Sequence, residues 1–159
     1  MNKYITIIII LISLSGCSSL NTRDTKISKY FSSKEATYSD TGKKYKISNE
    51  VPRKLEDNIY YSAKRLDKFR AFLGKPINVT GWYRNKKINK KVNGSKTSAH
   101  VLGLAIDFRV AGNSKTTYKK IINSNLKFDQ FFYYPRSNRF HISFKRDQKL
   151  ERREYRIIY

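Results

Sequence analysis

Ser98-Ala-His-Val-Leu-Gly-Leu-Ala-Ile-Asp-Phe-Arg-Val110 holds one of the chain's two histidines, His100, and runs straight into an alternating segment. Leu104, Ile106, Phe108 and Val110 alternate there with Ala105, Asp107 and Arg109. That is the period of a half-buried strand. It sets Asp107 on the polar face while its neighbours fill a core. Arg139-Phe-His-Ile-Ser-Phe-Lys145 repeats the pattern. Phe140, Ile142 and Phe144 face one way, and His141 and Ser143 the other. Two adjacent strands would therefore bring Asp107 and His141 together on one face of a sheet. Gly103 lets the chain turn closely between His100 and the Asp107 strand. Two imidazoles and a carboxylate make a three-ligand set for Zn²⁺, with a fourth position open to water. A closed structural site would want four protein ligands, and the single cysteine, Cys17, belongs elsewhere. A lone histidine on a strand is ordinarily a satisfied or solvated side chain. Two in this context, with an Asp nearby, tip the balance towards metal.

Outward from these stretches, Val51-Pro52 starts an amphipathic helix. Leu55, Ile59, Ala63, Leu66 and Phe69 fall at three- and four-residue spacings, and Gly74-Lys-Pro76 stops it. Ile77 to Thr80 reads as a strand, and Arg84 to Val92 contains a short helix. Asn93-Gly94-Ser95 is a turn. Thr117 to Asn123 reads as a helix and Phe128 to Tyr134 as an aromatic strand. Tyr155 to Tyr159 is expected as an edge strand or a loose tail. A long helix followed by short mixed elements predicts an α+β fold, a small antiparallel sheet with flanking helices.

The front of the chain speaks of a compartment. Lys3 precedes an apolar run from Tyr4 to Leu14, too short to span a bilayer as a mature helix. Leu14-Ser15-Gly16-Cys17 resembles a bacterial lipobox, in which the cysteine is diacylated and becomes the new N-terminus. Residues 1–16 are then a lipoprotein signal peptide, and the membrane is a partner through lipidated Cys17. Ser18 stands where an Asp would resemble an inner-membrane retention signal. The expected location is the cell envelope, lipid-anchored at the outer membrane and facing the periplasm. Polar, aperiodic residues 17–50 are expected as a flexible tether, with Tyr38 to Ile47 open to a place at the domain edge. Residues 51–159 are expected as one domain.

The formal net charge of +22 favours polyanions: nucleic acid, phospholipid head groups, lipopolysaccharide, teichoic acid or peptidoglycan carboxylates. Basic residues cluster at 84–91 and 145–156 among frequent aromatics. The export signal, and the lack of any helix-turn-helix, ribonucleoprotein or zinc-finger pattern, argue against a specific nucleic-acid partner.

Gly-Lys-Pro-Ile-Asn-Val-Thr-Gly-Trp-Tyr-Arg84, Asn89 with Asn93-Gly94-Ser95, Ser98 to Asp107, Phe128-Asp-Gln130 and His141 to Phe144 agree in order and spacing with one family. The run from Val51 to Lys145 resembles the zinc D-Ala-D-Ala peptidases, in their small single-domain branch. Ser98 to Asp107 fits their SxHxxGxAxD signature at every fixed position. The resemblance implies a Hedgehog/DD-peptidase-like zinc fold, with His100, Asp107 and His141 as ligands of Zn²⁺. It implies that Arg84 pairs with a substrate carboxylate or polarises the scissile carbonyl, and that Ser98 and Tyr83 lie at the substrate. The implied activity is a zinc-dependent D,D-peptidase, endopeptidase or carboxypeptidase, acting on peptidoglycan.

The chain departs from the family at the general base. Many relatives place Glu or Asp three residues before the last histidine, where this chain has Asn138. Others carry Glu shortly after the "fDQ" segment, where this chain has Tyr134. Asp129 is the nearest carboxylate in sequence and the candidate base. Its alternative is a structural role, orienting a ligand histidine. Gly81-Trp82 replaces the usual Ser-Gly before Tyr-Arg, so Trp82 either reshapes the pocket or only packs. The missing acid keeps a second function open, a catalytically impaired zinc module that binds peptidoglycan. A third is a basic surface lipoprotein whose ligand is lipopolysaccharide or DNA.

Overall fold

The computed structural model describes Leu20 and residues 24–159. Cys17 and the apolar run before it lie outside the described residues. The scaffold is a five-stranded sheet: β1 Ile77–Gly81, β2 Ala105–Val110, β3 Gln130–Tyr134, β4 Arg139–Ser143 and β5 Glu154–Ile157, ordered β1-β2-β4-β3-β5. Its helices are α1 Ser33–Thr37, α2 Asp40–Lys44, α3 Arg53–Leu73, α4 Lys86–Lys91 and α5 Ser114–Ile122. Among the described residues no helix is long and apolar enough to cross a membrane.

α3 begins behind Pro52 and ends at Gly74, whose left-handed φ of 63° a Cβ would strain. Ile59, Ala63, Leu66, Phe69 and Leu73 form its buried stripe. Phe69 meets Phe128 and Phe144. On the sheet, Phe131 stacks on Phe140, and Tyr118 of α5 stacks on Phe131. Ile106, Phe108 and Ile142 complete this apolar face. Because side chains alternate along a strand, Asp107, His141 and Phe132 project from the other face. The register places Gly81 opposite Asp107, Asp107 opposite His141, and His141 opposite Phe132.

Two expectations are corrected. The sheet is mixed rather than antiparallel, because β5 pairs in parallel with β3. After β4 the chain passes through the turn Gln148–Leu150 and returns along the outer edge of β3. The buried pair Arg65–Glu151, at 2.9 Å, pins that return to α3. The expected edge strand thus forms at Glu154–Ile157.

The second correction concerns 24–50, which was expected to be tether. Ile27, Phe31, Ala36 and Val51 are buried in the same core. Phe31 meets Trp82 edge-on at 6.0 Å, and Arg70 lies over the Tyr30 ring. Asp67 of α3 accepts hydrogen bonds from the Ser28 hydroxyl and the backbone N–H groups of Lys29 and Tyr30. The Tyr83 N–H donates to Ala36 O at 3.1 Å. Ser32 and Glu35 form a capping box on α1. The segment lacks a sequence period because its anchors sit in extended chain and single-turn helices, where no repeat is required.

Candidate metal centre

Three loops and strands converge on one spot. β2 presents Asp107 and β4 presents His141 as a directly opposed pair. His100 arrives on the short turn Ala99–Leu102. Gly103 closes that turn at φ 72°, and a Cβ there would come within 2.7 Å of Ile59 Cδ1. The Arg84 N–H donates to His100 O at 3.1 Å, tying the turn to the end of β1.

The donor atoms of His100, Asp107 and His141 all lie within 4.8 Å of one another. His100 Nε2 is 3.3 Å from His141 Nδ1 and 3.4 Å from Asp107 Oδ1. His141 Nδ1 is 2.9 Å from Asp107 Oδ1. A tetrahedral ion with Zn–N and Zn–O bonds near 2.0–2.1 Å spaces its ligands at about 3.3–3.4 Å. The triad therefore fits zinc without rearrangement of its backbone. His100 Nδ1 is 2.6 Å from Trp82 O, so it carries the proton and donates, which leaves the Nε2 lone pair for a metal. Trp82 is itself fixed, with its indole N–H donating to Ser62 Oγ at 3.0 Å. Phe132 stacks on the His141 ring at 5.6 Å.

Protonation suits the same reading. Burial drives His100 towards the neutral imidazole, against the pull of Asp107. Burial also works against the Asp107 carboxylate, but its electrostatic coupling to the two histidines, His100 first and then His141, prevails. They hold it well below the usual carboxylate range. A neutral imidazole and an ionised carboxylate are the forms that donate to a metal.

The triad opens into a cavity of 430 Å³ whose wall includes Tyr83, Arg84, Tyr134 and Arg139. Arg84 Nη2 is 3.6 Å from Asp107 Oδ2. Its Nη1 donates to Asn89 Oδ1 at 3.4 Å. Asn89 also donates to Gly94 O and Ser95 O, and a Cβ on Gly94 would collide with Asn89 Oδ1. Asp40 and Tyr38, from the segment expected to be tether, complete the wall. The Tyr38 hydroxyl donates to Asp40 Oδ1.

Two expected site residues stand apart. Ser98 caps the His100 turn, with its carbonyl accepting from the Val101 N–H, and it does not line the cavity. Asp129 also lies off the cavity wall and bonds neither histidine. Its carboxylate accepts from the Arg152 backbone N–H, Nε and Nη2, the last at 2.7 Å. Lys145 Nζ adds a contact at 3.5 Å. Expected as the general base or as a histidine-orienting group, Asp129 is engaged here by Arg152 and fastens the C-terminal return. Burial raises its pKa, but the Arg152 hydrogen bonds and charge overrule it and hold the carboxyl low. Its contribution is full above the ordinary carboxylate pKa and fades as pH falls through the lowered value. Asp129→Asn should cost about 1 to 2 kcal/mol in urea unfolding at neutral pH while leaving metal binding intact. A loss of metal affinity in that variant would restore Asp129 to the site.

Asn138, at the position where an acid was expected, holds a left-handed φ of 50° and accepts from the Ser114 hydroxyl. Sequence reasoning missed the Trp82 carbonyl, Asp40 and Arg139. Only Arg139 left a signal, standing two residues before His141 and so on the same strand face.

The family model for peptidase M15 matches residues 29–143. The match begins inside the segment that packs against Trp82. A comparison with curated proteins finds no match.

Proposed function

This chain belongs to the peptidase M15 family, and from that premise we propose that it is a zinc-dependent D,D-peptidase acting on peptidoglycan stem peptides. The observation that carries the reading is the His100, Asp107 and His141 triad, spaced for a tetrahedral ion and open to a cavity. When bound, zinc polarises a peptide carbonyl and lowers the pKa of water. The protein's own groups supply the rest. The Trp82 carbonyl keeps His100 in one tautomer. Arg84, steadied by Asn89, aims its guanidinium at developing negative charge on the carbonyl oxygen. Asp40 is the cavity's carboxylate besides Asp107 among the described residues. We assign it the proton transfer, from the attacking water to the leaving amine. Water adds across the C–N bond, leaving a carboxylate on one fragment and an amine on the other.

The envelope reading belongs to this proposal. Acylation at Cys17 would tether the enzyme at the outer membrane, facing the wall. The mature chain's formal charge of +21, the full chain's +22 less Lys3, would hold it near anionic wall polymers. The engagement of Asn138 and Asp129 elsewhere favours the second reading, a wall-binding module without turnover.

Purified sacculi incubated with the zinc-loaded protein decide between them. A peptidase removes cross-linked dimers or terminal D-alanine, and a chelator stops it. Asp40→Asn should slow this by about 100-fold with zinc still bound. An unchanged muropeptide profile with saturable binding to sacculi would leave the binding module.

A further inference from the structure

The basic stretches at 84–91 and 145–156 have different fates in the fold. In the second, Arg152 and Arg156 pair with Asp129 and Glu154, and Arg153 donates to the carbonyls of Leu126, Ile122 and Ser124. In the first, Lys86, Lys87, Lys90 and Lys91 of α4 are exposed and form no ion pair among the described residues. At 3.6 residues per turn they fall within an arc of roughly 140°. Ile88 and Asn89 are buried on the opposite side.

The end of α2 extends this face. Lys43, Lys44 and Lys46 are exposed there and are equally unpaired among the described residues. Tyr45 joins the two helices, with Lys44 Nζ at 5.5 Å and Lys91 Nζ at 4.6 Å from its ring centroid. The join is rigid. A Cβ on Gly42 would come within 2.9 Å of Ile47 O and 3.1 Å of Ile88 Cδ1. The Asn85 N–H donates to Asn49 Oδ1, and Asn49 Nδ2 donates to Tyr83 O. The carboxylates on the same stretches of chain are already engaged, Asp40 by the Tyr38 hydroxyl and Glu50 by the Ser48 hydroxyl. A fixed face that keeps its ammonium groups unpaired suits a polyanion.

Two observations favour a bilayer over a dissolved polymer. Tyr45 and Val92 stand exposed among the lysines, at 46% and 41%. Basic side chains with apolar ones between them match a head-group boundary, where the ammonium meets phosphate and the apolar parts settle below it. The path of the chain gives the second observation. Leu20 is 2% exposed and belongs to the core. It stands three residues after Cys17, so at most about 11 Å of extended chain separates the two. An acylated Cys17 therefore leaves the domain no room to stand clear of the membrane. Asp24 lines a cavity together with Tyr38, and Tyr38 lines another with Lys43 and Lys46. The chain thus enters the domain beside the basic face.

We propose that the α2–α4 face docks the domain on a bilayer carrying anionic phospholipid, with its lysines on the phosphate groups and Tyr45 at the head-group boundary. The inference does not depend on the peptidase reading, and takes from the envelope reading only the anchor at Cys17.

The test is a lysine footprint on the full chain, mixed with vesicles of phosphatidylcholine alone or of phosphatidylcholine and phosphatidylglycerol in equal parts. Amines are acetylated with limiting reagent and read residue by residue by mass spectrometry. Phosphatidylglycerol should lower labelling of Lys43, Lys87 and Lys91 by about 5-fold, the worth of one lysine near an anionic surface. Lys119 and Lys120 serve as controls, exposed on α5, which packs on the other face of the sheet through Tyr118 and Phe131. They should label alike on both vesicles. A variant combining Lys43→Gln, Lys44→Gln, Lys87→Gln and Lys91→Gln changes only exposed, unpaired groups. In it, Lys46, Lys86 and Lys90 should lose their protection. Equal labelling of the native face on the two vesicles overturns the inference. Protection spread evenly over α5 and the α2–α4 face also overturns it, since net charge alone would then attract the chain in any orientation. Stronger protection by soluble polyphosphate at the same phosphate concentration would make the face a site for a dissolved polyanion instead.

Discussion

His141→Ala should abolish the proposed peptidase activity and lower zinc affinity by well over 100-fold. Removing a mere outer partner of a ligand costs about 10- to 100-fold, and His141 contributes a donor atom itself. His141 is the better choice for this test than His100. Its side chain is partly exposed, at 14% against 4%, and meets the Phe132 and His100 rings. His100 is also bonded to Trp82, so its removal disturbs the fold around the site as well as the metal. Zinc affinity is read by competition with a chromophoric chelator. A second reading is the unfolding temperature, which zinc should raise in the native protein by mass action and leave unmoved in the variant. Cleavage or zinc-induced stabilisation that persists in His141→Ala would remove the triad from the mechanism.

Phe31→Ala should destabilise the protein by about 3 to 5 kcal/mol, the usual cost of emptying a buried phenylalanine site. Phe31 is 1% exposed and meets Trp82 at an interplanar angle of 82°. In a solvated tether the same substitution would fall within about 0.5 kcal/mol of neutral, so urea unfolding separates the two pictures cleanly. The loss should also reach the site. Trp82 packs on Phe31 through its ring and holds His100 through its carbonyl. A looser Trp82 is expected to weaken zinc binding even where the variant remains folded. A cost below about 1 kcal/mol would show that residues 24–38 do not share the core.

The same two residues mark the boundary between what is local in this molecule and what is not. Local pattern is enough for α3, the strands carrying Asp107 and His141, and the face on which both side chains lie. Helical and strand periodicities are written into neighbouring residues, and a two-residue alternation leaves no choice of face once one side is buried. It also placed His100 on a glycine-closed turn next to that strand. Tertiary structure alone decided the role of the arm before Val51. Phe31 is buried by a tryptophan fifty-one positions away and not by any pattern around it. It decided that β5 runs parallel to β3, since pairing direction depends on the path of the chain between strands. It separated Asp129 from the site, because Arg152 reached its carboxylate first. It supplied the Trp82 carbonyl and the Arg139 contact with Asp107 as well. A carbonyl is present on every residue and an arginine is common on every surface, so only the distances to His100 and Asp107 give either of them a place at the site.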